Sequence, residues 1–240
     1  MSVIALGGLW GGGARLLGPV LANKISADYV DQALLLAMTE ELGLSIEELN
    51  KREHLAPSLT HRFAIKIRNI LERSGSTWGG DPYFGSGLSH FFADNYEDLP
   101  GIGVVNSHDQ SSDDYIAVIK STMRNMAVEG NVVFVGRGSN VILNDMKNVL
   151  RIGVVASYED RIKNVMKIDN LDYELAIKAI TNRDAARRNY FKKYFDIDEP
   201  DNPNLYHLTI NTSEVILDYA SELAVQSLEA LLSGKMHVSS

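Results

Sequence analysis

Val3-Ile4-Ala5-Leu6 runs directly into Gly7-Gly8-Leu9-Trp10-Gly11-Gly12-Gly13, and Ala14-Arg15-Leu16-Leu17-Gly18 follows without a break. The first four residues form a short apolar run of the kind that makes a buried strand. From Ala14 to Lys24 the pattern turns helical, with Leu17 and Leu21 on one face. The order is therefore strand, glycine loop, helix. Such a loop lets backbone N–H groups meet an anion, with the helix dipole behind them. The plainer alternative is a flexible turn whose glycines only permit tight packing. Three adjacent glycines, however, cost backbone entropy that an ordinary turn avoids.

Two phosphate-binding motifs compete for this loop. The pattern G-x-x-x-x-G-K-[ST] finds its glycine spacing in Gly8 and Gly13. Ala14 then stands where lysine belongs, and Leu16 offers no hydroxyl to magnesium. Arg15 is the nearby cation, and an arginine in a first helical turn is disfavoured by the dipole unless an anion sits there. The dinucleotide pattern G-x-G-x-x-G is met by Gly11 and Gly13, but Leu16 takes the third glycine position. Asp31 lies where that motif places its ribose-binding acid.

Outward from the loop, Asp28 to Asp31 reads as a short second strand or its exit. Helical pattern covers Gln32 to Leu42, Ser45 with Glu48 makes a capping box, and Pro57 opens a stretch to about Arg73. Ser74 to Ser112 mixes glycine, proline, aromatic and acidic residues without period, so it is a functional segment or a small lobe. Asp113 to Glu129 reads as a helix. Asn131 to Val135 and Val149 to Val155 read as strands buried on both faces, as in a parallel sheet. Helices follow over Tyr158 to Lys167 and Asp172 to about Tyr194, then a strand at His207 to Ile210 and a closing helix from Ser213 to Leu232. Strands alternating with helices predict a three-layer α/β/α sandwich with a parallel sheet.

The 240 residues suit one domain, with a core over about 1–50 and 113–240 and an inserted segment over about 51–112. The formal net charge is −8, which sets the chain against a general nucleic-acid-binding role. There is no cysteine, hence no disulfide or thiolate chemistry, as in a reducing cytoplasm. The apolar N-terminus lacks a basic leader and is interrupted by its glycines and Arg15, so it is not read as a signal peptide. No run of about 20 apolar residues exists to span a membrane. The six histidines show no metal-ligand spacing, and no metal-ligating residue is assigned.

Gly136-Arg137-Gly138 directly follows the strand Val132 to Val135, and Arg161 and Arg183-Asp184-x-x-Arg187-x-x-Tyr190 lie on later helices. This order of a glycine loop, Tyr29-x-Asp31, Val-Gly-Arg-Gly, Arg161 and the Asp184/Arg187/Tyr190 helix resembles the cytidylate kinase-like family. That family belongs to the P-loop nucleoside monophosphate kinases. Its first loop usually reads Ser-Arg-Glu-Tyr-Gly-Ser-Gly-Gly-Arg-x-Ile-Gly, and Gly7 to Gly18 aligns to it without a gap. Arg15 and Gly18 are kept, while Gly7, Gly8 and Leu9 replace the Ser-Arg-Glu opening. The family commonly lacks the P-loop lysine, as Ala14 does here.

The resemblance implies a P-loop fold with a helical lid, and transfer of the γ-phosphoryl group of ATP, with Mg2+, to CMP or a related acceptor. It assigns Gly8, Gly11, Gly12, Gly13 and Arg15 to the donor phosphates. Asp31, Arg137 and Asp184 go to the acceptor, and Arg15, Arg137, Arg161, Arg183 and Arg187 to the transferring group. Asp184 is expected to orient Arg187 from the same helix face. The partner is a small nucleotide, with neither nucleic acid nor membrane involved, and homo-oligomerisation stays open. Plainer readings accompany these. Asp31 can be a helix cap, and Arg183, Arg187, Arg188, Lys192 and Lys193 can be a solvated basic face. The aromatics among them, Tyr190, Phe191, Tyr194 and Phe195, have the spacing of a base-stacking surface, a reading the acidic whole opposes.

Overall fold

The computed structural model describes residues 1–31 and 110–236. The chain divides into two compact units, one of Met1–Asp31 with Gly130–Ser240 and one of Gln32–Glu129. In the first unit, β1 (Val3–Gly8), α1 (Ala14–Lys24) and β2 (Asp28–Val30) come before the division. After it come β3 (Val132–Val135), α3 (Ser139–Ile142), β4 (Val149–Val155), α4 (Tyr158–Asp169) and α5 (Tyr173–Phe195). A 3-10 turn (Pro203–Leu205), β5 (Leu208–Asn211) and α6 (Leu217–Leu232) end the described chain. The second unit contributes α2 (Gln110–Glu129).

The five strands form one parallel sheet in the order β2-β3-β1-β4-β5. Val3 pairs with Val132 and Val149, and Ile152 pairs with Leu208. Val3, Ile4, Ala5 and Leu6 are all fully buried, so β1 is the centre of the sheet in depth as well as in order. That is why its sequence is apolar without alternation. One face carries the main core. Ile4, Leu6, Val133, Leu150 and Ile152 pack there with Leu17 and Leu21 of α1 and with Ala220, Ala224 and Leu228 of α6. Ile162 and Val165 of α4 make a second cluster with Ala176 and Ile180 of α5, and Trp10 packs against it.

The strands read from the sequence appear within two residues of their expected bounds, and α1 over its whole expected length. The α6 helix begins at Leu217 rather than Ser213, because residues 212–216 form the turn that leaves β5. α3 went unforeseen, since four residues are too few to show a period. The expected helices over Gln32 to Leu42, after Ser45, and from Pro57 to about Arg73 lie outside the described residues, as does the irregular stretch up to Asp109. Its last three residues, Gln110 to Ser112, instead begin α2, three residues before the expected start at Asp113.

The sheet order excludes the dinucleotide alternative. Dinucleotide-binding sheets run 3-2-1-4-5-6, with β2 beside β1. Here β3 separates them, so the first crossover skips a strand position. Among the described residues, no helix is long and apolar enough to cross a membrane.

Candidate functional site

All five strands are parallel, so their C-terminal ends meet at one edge, where ligands of open α/β sheets bind. That edge carries the glycine loop at the centre, Arg137 beside it after β3, Asp31 after β2 and Thr212 after β5. Asp31 and Arg137 thus reach the loop's edge from different parts of the chain.

The loop leaves β1 at Gly8 and enters α1 through Gly13, whose φ of 101° is left-handed. A Cβ on Gly13 would come 2.9 Å from both Cγ2 and Oγ1 of Thr212, and one on Gly11 would come 2.7 Å from the Arg161 carbonyl oxygen. Only glycine combines those conformations with those approaches. Gly12 N–H donates to Leu9 O at 2.9 Å, and Leu16 and Leu17 N–H both donate to Gly13 O. The N–H groups of Gly11, Gly13, Ala14 and Arg15 find no backbone acceptor among the described residues. This is the donor arrangement a phosphate requires.

Trp10 gathers the cations. The Arg183 guanidinium of α5 lies 3.8 Å from the centre of its ring, and that of Arg15 4.9 Å. Arg15 also pairs with Asp169 at the end of α4, at 3.0 Å, with side chains 35% and 23% exposed. A partly exposed pair of this kind exchanges partners at little cost. Arg161 differs. It is 5% exposed, donates from Nε to Trp10 O at 2.7 Å, and holds both carboxylate oxygens of Asp184 at 2.8 and 2.7 Å.

Arg137 has φ 53°, left-handed for a residue with a side chain, between two glycines that also have positive φ. Such a conformation costs about 1–2 kcal/mol and persists where its surroundings enforce it. Tyr190 of α5 supplies part of that enforcement. Its hydroxyl donates to Arg137 O at 3.2 Å, and its ring lies 5.8 Å beneath the guanidinium. At the neighbouring strand end, the Tyr29 hydroxyl donates to Asp31 at 3.3 Å. Burial, then the Asp31 charge, holds the Tyr29 phenol well above its ordinary pKa.

One expectation is corrected. Asp184 orients Arg161, not Arg187. The helical spacing does put Asp184 and Arg187 on one face, but an arginine reaches beyond its own helix. Arg187 pairs with Asp201 at 2.8 Å and donates to Pro200 O at 3.2 Å, fixing the segment that leads into β5. The aromatics of α5 are not laid out as a base-stacking row. Tyr190 meets the rings of Phe191, Tyr194 and Phe195 at 5.1–6.0 Å, and Phe195 closes on Gly138.

Several supporting residues escaped the reading of the sequence. Asn164 Nδ2 donates to Gly11 O at 2.8 Å, and Thr212 Oγ1 donates to Gly12 O at 2.9 Å. Asn164 stands three residues from Arg161 and so shares its helix face, which was a usable signal. Nothing in the sequence pointed to Thr212, Asp169 or the role of Trp10.

A model of the cytidylate kinase-like family matches residues 3–214. A cytidylate kinase of Methanocaldococcus jannaschii is 34% identical over 37% of this chain and 51% of its own, so the match spans about half that enzyme's length. A cytidylate kinase of Sulfurisphaera tokodaii is 22% identical over 98% of this chain and 99% of its own. One of Staphylothermus marinus is 27% identical over 56% and 73%. Among solved structures, an uncharacterized protein from Eubacterium ventriosum superposes with a TM-score of 0.55 at 16% identity, over 96% of this chain and 99% of that one. That likeness concerns the fold.

Proposed function

This chain belongs to the cytidylate kinase-like family, and we propose that it transfers the γ-phosphoryl group of ATP to CMP or a related nucleoside monophosphate. The observation that carries this reading is the glycine loop at the centre of the sheet edge, with the N–H groups of Gly11, Gly13 and Ala14 unengaged by backbone among the described residues. Phosphoryl transfer asks a protein mainly for positioning and for charge against the transferring oxygens. Gly8, Gly11, Gly12 and Gly13 hold the donor phosphates. Arg15, Arg137 and Arg183 supply the charge that a lysine at Ala14 would otherwise provide. Asp31 and Arg137 address the acceptor from the strand ends beside the loop. Arg161, Asp184 and Arg187 act through position, given how fully they are engaged with the protein itself.

Mg2+ is a hard cation that keeps several waters and is bound largely through substrate phosphates, so it enters with the nucleotide. It supplies charge neutralisation at the β- and γ-phosphates. Among the described residues no group of three His, Asp or Glu side chains is placed to cage it. On this reading the chain works in the cytoplasm, on the nucleotide pool there.

The test is coupled measurement of ADP release from ATP with each nucleoside monophosphate in turn. Turnover is expected with CMP, and Arg137→Ala should lower it on the order of a hundred- to a thousandfold. ATP binding without turnover for every acceptor would overturn the kinase reading. It would leave a non-catalytic nucleotide-binding protein, the alternative that Ala14 and the Gly7-Gly8-Leu9 opening favour.

A further inference from the structure

Three successive carbonyls of the glycine loop are each tied by a side chain from elsewhere in the fold. Trp10 O accepts from Arg161 Nε at 2.7 Å, Gly11 O from Asn164 Nδ2 at 2.8 Å, and Gly12 O from Thr212 Oγ1 at 2.9 Å. Two of the anchors stand on α4, and the third follows β5. A trans peptide is planar, with its C=O and the next N–H pointing in opposite directions. Fixing the carbonyl of Trp10 therefore aims the N–H of Gly11, and fixing that of Gly12 aims the N–H of Gly13, each away from its anchor.

The middle peptide behaves differently. Its carbonyl is held by Asn164, and its N–H, from Gly12, is already taken by Leu9 O at 2.9 Å. The loop thus has two aimed donors with a closed one between them. Glycines alone cannot enforce such a pattern, because they tolerate both signs of φ with little preference. The side-chain anchors can.

We propose that Asn164 and Thr212, together with Arg161, are positioning residues that fix the peptide planes of the glycine loop, so that Gly11 and Gly13 present their N–H groups to the phosphate chain of the nucleotide. The inference rests on the phosphate-cradle reading of the loop and adds residues to it. Thr212 is suited to the role geometrically. Its hydroxyl also lies 3.3 Å from Val155 O, and its methyl and hydroxyl are the atoms that a Cβ on Gly13 would meet. It thus holds Gly12 and backs Gly13 at once.

The probe is inorganic tripolyphosphate, which has no base or ribose and so reports on the loop alone. Titrated into the 15N-labelled full chain, it should shift the amide resonances of Gly11 and Gly13 and leave that of Gly12 nearly still. Calorimetry should show Thr212→Val and Asn164→Leu each binding it about two- to tenfold more weakly, the worth of one net hydrogen bond. Thr212→Ser, which keeps the donor, should restore the wild-type value. Equal affinity in the folded Thr212→Val and Asn164→Leu proteins, with only their melting temperatures lowered, would show a merely structural role and overturn the inference. A Gly12 amide that moves as far as its neighbours would overturn it in the wild type alone, even where neither variant folds. Wild-type protein that binds no tripolyphosphate would overturn the cradle reading itself, and this inference with it.

Discussion

At the scale of single residues, the buried ion pair between Arg161 and Asp184 separates two roles that one residue type can play. Arginine is the natural charge for a phosphate, yet the most buried arginine near the loop is saturated by protein partners at 2.7–2.8 Å. A guanidinium so engaged would have to break several charge-assisted bonds to meet a ligand. Arg15 is held less tightly, by the face of the Trp10 ring and by a partly exposed pair with Asp169. Removing one member of a buried pair leaves the other uncompensated, at a cost of about 3–5 kcal/mol. Asp184→Ala should accordingly lower unfolding stability by an amount of that order in urea titrations, whereas Asp184→Asn, which keeps one acceptor oxygen for Arg161, should lose less. Equal losses would mean that the charge matters and the hydrogen bonds do not.

At the scale of elements, α4 carries Arg161 and Asn164, so its first turn determines how firmly the loop is held. Ser157 caps it. The Ser157 hydroxyl accepts from Asp160 N–H at 3.2 Å and donates to the Asp160 carboxylate at 2.8 Å. Lys163 adds an ion pair at 2.9 Å, and Ser213 receives Ser157 N–H at 2.8 Å. The hydrogen bond from Lys163, then those from Ser213 and Ser157, lower the Asp160 pKa from 3.8 to about 2. A carboxyl depressed on folding stabilises the fold above its unfolded pKa, and that contribution disappears as pH falls through the folded one. The cap should therefore hold down to about pH 4 and weaken towards about pH 2. Circular dichroism across that window should show a step that Asp160→Asn abolishes, while Ser157→Ala should cost about 1 kcal/mol at neutral pH. The elements themselves were legible because their signals are local. β1 and β3 are unbroken apolar runs, β4 is one interrupted by Arg151 alone, and Asp172 announces α5 as the cap that accepts from Leu175 N–H. The contacts of Asp184, Asn164 and Thr212 were not legible, because partners as far as 200 positions apart in sequence depend on how the helices pack, which no local pattern records.

At the scale of the whole molecule, the order β2-β3-β1-β4-β5 places the glycine loop between Arg137 on one side and the β4 and β5 ends on the other. The sequence motif left a phosphate loop and a dinucleotide loop in competition, since Gly11 and Gly13 serve both. Strand order decides between them, and strand order is a property of the assembled sheet. Leu16, partly exposed in the first turn of α1, adds a local reason, because the dinucleotide motif needs glycine there for close helix–strand packing. The two folds therefore make opposite demands on ligand binding. A ligand that binds only the folded state at a hundred times its Kd stabilises it by about 2.7 kcal/mol. In a domain of this size each kcal/mol moves the melting temperature by roughly 2–4 °C. ATP at such a concentration should therefore raise the melting temperature by roughly 5–10 °C, and NAD at the same concentration should leave it where it was. Scanning fluorimetry with the two ligands side by side measures this directly, and a shift with NAD but none with ATP would contradict the strand-order argument at its root.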